Sequence, residues 1–427
     1  MPKQKANSKM KFELLKTQTL YPVLDHLSQE FISALIPKYQ LTFQELRQLA
    51  EIARDLEMWQ AEPLKQLWQK YESEIPSKLA GSQRKEALLA KLHAQMDAFR
   101  RQEKVYSGKS LCSNKENLPD VSVVQSGKAI FGDCPVSSPK TLCCQLKTID
   151  AVMNCPFECS YCTIHAFYDG KIIFDGQLRD KLKKTKLAPN RFYHIGSGQS
   201  SDSLVWGNQN GLLDVLCEFA ADHPNILLEL KTKSKNISYF LEHETPRNVV
   251  CSWTLNTAAI IRNEEHGTAS LDERLIAAQQ IAGRGIKVGF HFHPLVYYKG
   301  WDLEYPEIAG RLQAMFQPEE VVFITFGTVT LIKPVVQEIR KRGGQTKILQ
   351  MEMVPDPHGK LTYSDEVKIR MFKTVHEAFH GWHKKVYMYL CMEHPKFWDA
   401  VFGRHYEDND EFERDFGSET MKKLSSE

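Results

Sequence analysis

The chain has 427 residues, of which 42% are hydrophobic and 25% charged, with 55 basic and 53 acidic side chains for a net charge of +2. That is enough apolar material for a sizeable core and too much for one minimal domain. The near-neutral balance excludes a globally basic nucleic-acid binder and leaves only local patches to consider. No apolar run reaches the roughly 18 residues of a membrane span, and the start MPKQKANSKMK lacks the apolar stretch of a secretory signal. A cytoplasmic protein without membrane partners is expected. In that compartment ten cysteines point to metal binding or catalysis rather than to a disulfide framework.

In chain order, residues 1–11 are polar and lysine-rich and read as a disordered tail. Residues 12–105 read as a helical N-terminal domain. Thr42 with Glu45 three positions on forms a capping box before LRQLAEIARDLEMW, and SQRKEALLAKLHAQMDAFRRQEKV has long amphipathic spacing. Residues 106–140, rich in Ser, Gly, Pro and Asn, read as a loop-rich linker. From 141 to 345 short β-rich runs (TLCCQLKTIDAVM, RFYHIGS, ILLELKT, VVCSWTLN, KVGFHFHPLV, VVFITFG) alternate with helical stretches. Such alternation predicts an α/β protein with a parallel sheet, here a partial, open α/β barrel whose site lies at the carboxyl ends of the strands. Residues 346–427 read as an α+β extension containing a late strand, KVYMYLC. An antiparallel sheet with one solvated face is the competing arrangement.

Strand alternation assigns faces. Glu229, Lys231 and Lys233 share one side of their strand; Ser252, Thr254 and Asn256 share one side of the next; His291 and His293 share one side of a third. The opposite sides are apolar and suit packing against helices. The polar sets therefore point into the lumen, where they need a ligand or full hydrogen bonding. Pro294 is expected to end its strand.

The segment NCPFECSYCTIHAFY spaces Cys155, Cys159 and Cys162 by four and three on the loop after the first barrel strand. Thiolates suit iron–sulfur clusters or zinc. A trio leaves one metal position open to chelate a substrate or cofactor. This Cys-x3-Cys-x2-Cys arrangement resembles the signature of the radical S-adenosylmethionine superfamily, in which an aromatic before the third cysteine, here Tyr161, lies against adenine. A three-cysteine zinc site in a non-catalytic nucleic-acid-binding module is the alternative from another class.

Across roughly residues 125–405 the chain resembles the spore photoproduct lyase family. The segments that carry the likeness are CPFECSYC, HIGSGQSSDSL, LELKTKS, SWTLNT, GFHFHP followed by GW, TFGTVTLIKP, GKLTYS and YLCMEHPKFW. The resemblance implies a 4Fe-4S cluster on the three cysteines. It also implies reductive cleavage of S-adenosylmethionine to a 5′-deoxyadenosyl radical, abstraction of a substrate hydrogen atom, a flavodoxin or ferredoxin as reductant, and a pyrimidine photolesion in DNA as substrate. It assigns Gly196, Ser197 and Gly198 to the methionine ammonium. Lys233, with Lys231 as fallback, goes to the methionine carboxylate, and Ser252, Thr254 and Asn256 to ribose and carboxylate contacts.

Two positions depart from the family. The lyase keeps a hydrogen-donating cysteine before a Ser-Asp pair, where this chain has Gln199, and a tyrosine after the third cluster cysteine, where it has Thr163. Either another residue donates or the same radical chemistry serves a different substrate, such as a nucleotide, an RNA base or a metabolite. Cys391 is the candidate substitute donor, against the plainer reading of a small buried apolar residue. His293, beside His291, is the candidate proton source. Cys134, Cys143 and Cys144 raise a second metal site, against which adjacent cysteines on a strand face opposite ways. The clusters Arg179–Lys186 and Arg340–Arg342 are candidate phosphate contacts, and Trp206, Tyr298 and Trp301 candidate pocket aromatics.

Overall fold

The computed structural model describes residues 13–106, 120–134, 140–167 and 170–425. The tail expected at 1–11 and parts of the linker expected at 106–140 lie outside them. Two compact units are present: Met1–Asn114 with Ile332–Met353, and Lys115–Leu331 with Val354–Glu427.

The first unit is helical, with helices at His26–Tyr39, Phe43–Trp59, Leu64–Glu74 and Gly81–Arg101. The capping box forms as expected, with Thr42 accepting from the Glu45 amide and Glu45 accepting from the Thr42 amide. Leu46, Leu49, Ala50, Ala53 and Leu56 form the buried stripe that helical spacing demands. Asp55, on the same helix and 1% exposed, receives a two-pronged pair from Arg340 at 2.7 and 2.8 Å. Arg340 is thus an internal partner and not the phosphate contact its basic run suggested.

The second unit is built on one eight-stranded sheet in which spatial order equals chain order: β1 (Phe131–Asp133), β2 (Lys147–Ile149), β3 (Tyr193–Gly196), β4 (Ile226–Thr232), β5 (Val249–Thr254), β6 (Val288–Leu295), β7 (Val321–Thr328) and β8 (Tyr387–Leu390). From β2 to β8 every neighbouring pair is parallel, which rules out the antiparallel alternative. β1 adds antiparallel to β2. The curled sheet is open between its edges, where an isolated antiparallel bridge joins Leu142 to Glu393. Helices cover the outside. One of them, Leu271–Gly283, starts in a second capping box, Ser270 with Glu273. Among the described residues no helix is long and apolar enough to cross a membrane.

Several expectations need correction. The first barrel strand is only Lys147–Ile149; Cys143 and Cys144 precede it in irregular backbone. Gln145, at φ 49°, separates them from the strand, so strand alternation does not apply to the pair. β6 continues through Pro294 to Leu295. Tyr298 and Trp301 are core residues, 1% and 2% exposed, and the Tyr298 hydroxyl is spent on Thr257 and Glu304.

Close strand packing leaves no room for a side chain at Gly289, where a Cβ would fall 2.7 Å from the Phe323 ring. Gly289→Ala is expected to cost about 1–3 kcal/mol. Gly310→Ala, in a helix with nothing near the added methyl, should stabilise by about 0.4–1 kcal/mol. Urea titration of both variants checks the pair of signs.

Candidate active site

The polar faces read from alternation do meet in the lumen, but they divide into two tiers. The lower tier closes around one carboxylate, with His194 Nδ1 left buried without a partner. Glu229 of β4 accepts from His291 Nε2 at 2.5 Å and Ser252 Oγ at 2.5 Å on one oxygen, and from His194 Nε2 at 2.7 Å on the other. His291 Nδ1 in turn meets Thr325 Oγ1 at 2.7 Å. Four strands, β3 to β6, are pinned by this one carboxylate, and β7 is joined to them through His291. Burial pushes the Glu229 carboxyl up, but the histidines outweigh it and hold the group well below the usual carboxylate range. Burial and Lys231 push His291 down to about 4, so it stays neutral and donates from Nε2 while Nδ1 accepts from Thr325.

The upper tier is not closed. Lys231 on β4 and Lys233 just after it are half-buried, and neither ammonium has a hydrogen-bond or ion-pair partner among the described residues. Lys233 stands 5.8 Å from the centre of the Tyr161 ring. Thr254 Oγ1 on β5 is buried without a partner. Asp202 fixes the loop after β3 against the end of β4, accepting from the Leu204, Val205 and Lys233 amides and from Thr232 Oγ1 at 2.6–3.0 Å. Gly198 lies so close to β4 that a Cβ would sit 3.0 Å from the Lys231 carbonyl and 3.1 Å from Ser203 Oγ, so only glycine keeps this approach. Ser197 Oγ meets Ser203 Oγ at 2.9 Å.

The cysteine loop follows β2 and its short continuation Val152–Met153. It opens at Asn154, held at φ 70° with its side chain accepting from the Cys155 amide at 2.9 Å. It is then clamped by the Ala258–Glu264 helix end. Cys159 pairs with Glu265 in a short antiparallel bridge, the Ser160 amide donates to the Glu264 carbonyl at 2.8 Å, and the Ser160 and Tyr161 hydroxyls donate to the Glu264 and Glu265 carboxylates. Glu265 is anchored by the fully buried Arg274 at 2.6 Å. Burial pushes the Cys155 thiol up to about 12, with Asp202 and Cys162 adding to it. Burial likewise pushes Cys159 far up, against the pull of Lys233. Soft thiols held together on one loop, beside uncommitted lysines and a glycine approach, are a donor set that fits an iron–sulfur cluster with a charged cofactor. Among the described residues no three such side chains are already drawn into full coordinating geometry.

Two expected contacts are otherwise engaged. Ser252 belongs to the lower tier. Asn256 gives its amide to Glu265 and to the Pro294 carbonyl, and its oxygen accepts from Tyr305. His293 and Cys391 line a cavity of about 630 Å³ at the carboxyl ends of β6–β8, together with Thr328, Thr362, Lys368 and Glu393. The residues missed by sequence reasoning are Glu265 and Arg274, which clamp the loop, and Lys368 and Glu393 in the cavity. Glu229 was placed on the inward face but its anchoring role was not visible. Arg179 and Lys181 of the first basic cluster are paired with Glu218 and Asp175.

An open parallel sheet of this kind, with a loop of three cysteines after its second strand, defines a partial α/β barrel. Residues 182–370, which begin after the cysteine loop, match the family model described as spore photoproduct lyase. Spore photoproduct lyase of Clostridium acetobutylicum is 27% identical over 180 residues, 40% of this chain and 53% of that protein. The Bacillus subtilis enzyme is 28% identical over 123 residues, 28% of this chain and 36% of that protein. The chain thus spans about half the length, or less, of these curated relatives. A spore photoproduct lyase mutant with bound AdoMet and dinucleoside spore photoproduct superimposes with TM-score 0.54 at 21% identity, covering 63% of this chain and 82% of that one. The lyase complexed with dinucleoside spore photoproduct gives 0.52 at 20% identity with the same coverage. Over residues 182–370 the chain is similar to the spore photoproduct lyase family, and its fold is similar to that of the solved lyases.

The buried histidines set a pH dependence. His291, and His293 by burial and nearby Lys231, are neutral in the fold and take up protons in the unfolded chain below pH 6.5. The unfolded state therefore binds more protons, and stability is lost as pH falls from 6.5 towards 4. The expected slope approaches about 1.4 kcal/mol per pH unit for each such histidine. Denaturant titrations at stepped pH should show His291→Asn flattening this slope by one histidine's share.

Proposed function

We propose that this chain is a radical S-adenosylmethionine enzyme of spore photoproduct lyase type, acting on a pyrimidine photolesion in DNA. The observation that carries the reading is the unsatisfied upper tier, Lys231, Lys233 and Thr254, beside a loop of three thiols. A lumen that surrounds its lower carboxylate with donors and leaves two lysines and a threonine open above it is built for a polar ligand.

When bound, a 4Fe-4S cluster and S-adenosylmethionine supply methionine and a 5′-deoxyadenosyl radical, which removes a hydrogen atom from the substrate. Cys155, Cys159 and Cys162 would hold the cluster. Tyr161, its hydroxyl fixed by Glu265, would lie against adenine. Gly196, Ser197 and Gly198 would present backbone to the methionine ammonium. Lys233, with Lys231 beside it, would take the carboxylate, and Thr254 the ribose. Ser252 and Asn256 act one step back, by orienting Glu229 and Glu265. Cys391, in the cavity, would return a hydrogen atom to the product, and His293 beside it would handle a proton. A flavodoxin- or ferredoxin-type protein would deliver the electron. Gln199 and Thr163 favour a second reading, in which the same residues serve another substrate.

Anaerobic reconstitution with reductant and S-adenosylmethionine tests this. The wild type should bind iron and sulfide and form 5′-deoxyadenosine faster with irradiated DNA, and Cys159→Ala should lower that formation more than about 100-fold. Full iron content and cleavage in the variant would overturn the cluster assignment. Intact cleavage with no response to irradiated DNA, and no deuterium exchange into it, would leave the second reading.

A further inference from the structure

The cavity at the ends of β6–β8 holds an ion pair that nothing in the radical chemistry uses. Lys368 Nζ meets Glu393 Oε2 at 2.5 Å, and the two side chains are only 5% and 6% exposed. The lysine comes from the Asp365–Ala378 helix and the glutamate follows β8. The backbone around Glu393 is immobilised because its carbonyl accepts from the Leu142 amide at 3.0 Å across the open seam. The ammonium is steadied over the Phe397 ring at 4.6 Å.

The pair is not saturated. Glu393 Oε1 has no hydrogen-bond partner among the described residues, yet it is not one of the sealed-off buried atoms, so it faces the cavity. Lys368 spends one hydrogen bond on Glu393 and keeps further donors. Thr328 and Thr362 hydroxyls lie 3.5 Å apart on the same cavity. A free carboxylate oxygen beside a free ammonium proton is the complement of a cis-amide edge, N–H beside C=O. A hydroxyl further along can serve a second carbonyl. As a purely structural device the pair is poorly chosen, since apolar residues would be about as stabilising there.

We infer that Lys368 and Glu393 read the imide edge of a pyrimidine-2,4-dione, with Glu393 taking the ring N–H and Lys368 the neighbouring carbonyl. The inference rests on the pyrimidine reading above and adds the recognition element to it. Cys391, two residues before Glu393 and on the same cavity, would then lie beside the bound base. Cytosine offers a bare ring nitrogen where thymine offers N–H, which sets an acceptor against the carboxylate. An N3-methyl group blocks the same contact. Hydrogen bonds to a charged group in a buried site discriminate strongly against ligands that cannot make them.

The test is binding of thymidine, N3-methylthymidine and deoxycytidine to the full chain at pH 8, read by saturation-transfer NMR. Thymidine should bind at least about tenfold more tightly than either analogue. Glu393→Gln, whose amide can donate to the cytosine ring nitrogen, should bring the thymidine-to-deoxycytidine ratio below about threefold. Equal affinities for thymidine and its N3-methyl analogue in the wild type, or no measurable thymidine binding, would overturn the inference without recourse to any variant. Because the readout needs no radical, a protein that splits S-adenosylmethionine but does not discriminate defeats this inference alone. One that discriminates but never splits the cofactor defeats the catalytic reading alone.

Discussion

A carboxylate sealed inside a sheet must be surrounded by donors or it will not remain ionised. In this chain that carboxylate is Glu229, and the donors come from its neighbours on both sides: His194 from β3, Ser252 from β5 and His291 from β6, with Thr325 of β7 behind. The arrangement works in only one register. A one-residue slip of any of these strands would turn a donor outward into the apolar layer and leave the charge unmatched. The lower lumen is therefore both the glue and the ruler of the barrel.

With register set from below, the ends of the strands come to fixed positions above. β4 and the residue that follows it deliver Lys231 and Lys233, β5 delivers Thr254, and the ends of β6 to β8 contribute to the walls of the cavity. The cysteine loop is held from outside the sheet, by Glu264, Glu265 and the buried Arg274. The lysine tier and the cavity meet at His293, which lines the cavity and lies within electrostatic reach of Lys231 and Lys233 on one hand and Lys368 on the other. The polar groups left over in this upper region are those with no partner in the chain itself.

Much of this was legible from periodicity. Alternation along LLELKTK, VVCSWTLN and GFHFHP identified which side chains share the lumen, because a period of two is a local property of a strand. The cysteine spacing was equally local. What could not be read were contacts between residues far apart in sequence. Arg274 with Glu265 under the cysteine loop, Lys368 with Glu393, and Asp55 with Arg340 are each defined by packing and not by pattern. Ser252 and Asn256 show the complementary limit. Alternation placed them inward correctly, but could not say that one already serves Glu229 and the other Glu265. Cys143 and Cys144 lie before the strand, beyond a left-handed residue at Gln145, where alternation does not apply.

The central claim is that the upper lumen is polar because a charged cofactor completes it. Amine acetylation of the reconstituted protein under anaerobic conditions, mapped by mass spectrometry with and without S-adenosylmethionine, tests it most directly. Lys231 and Lys233 should lose reactivity when the cofactor binds, while a surface lysine such as Lys235, paired with Glu273 on the outside, should not change. Unaltered labelling of both lumen lysines in a protein that demonstrably holds S-adenosylmethionine would contradict the account.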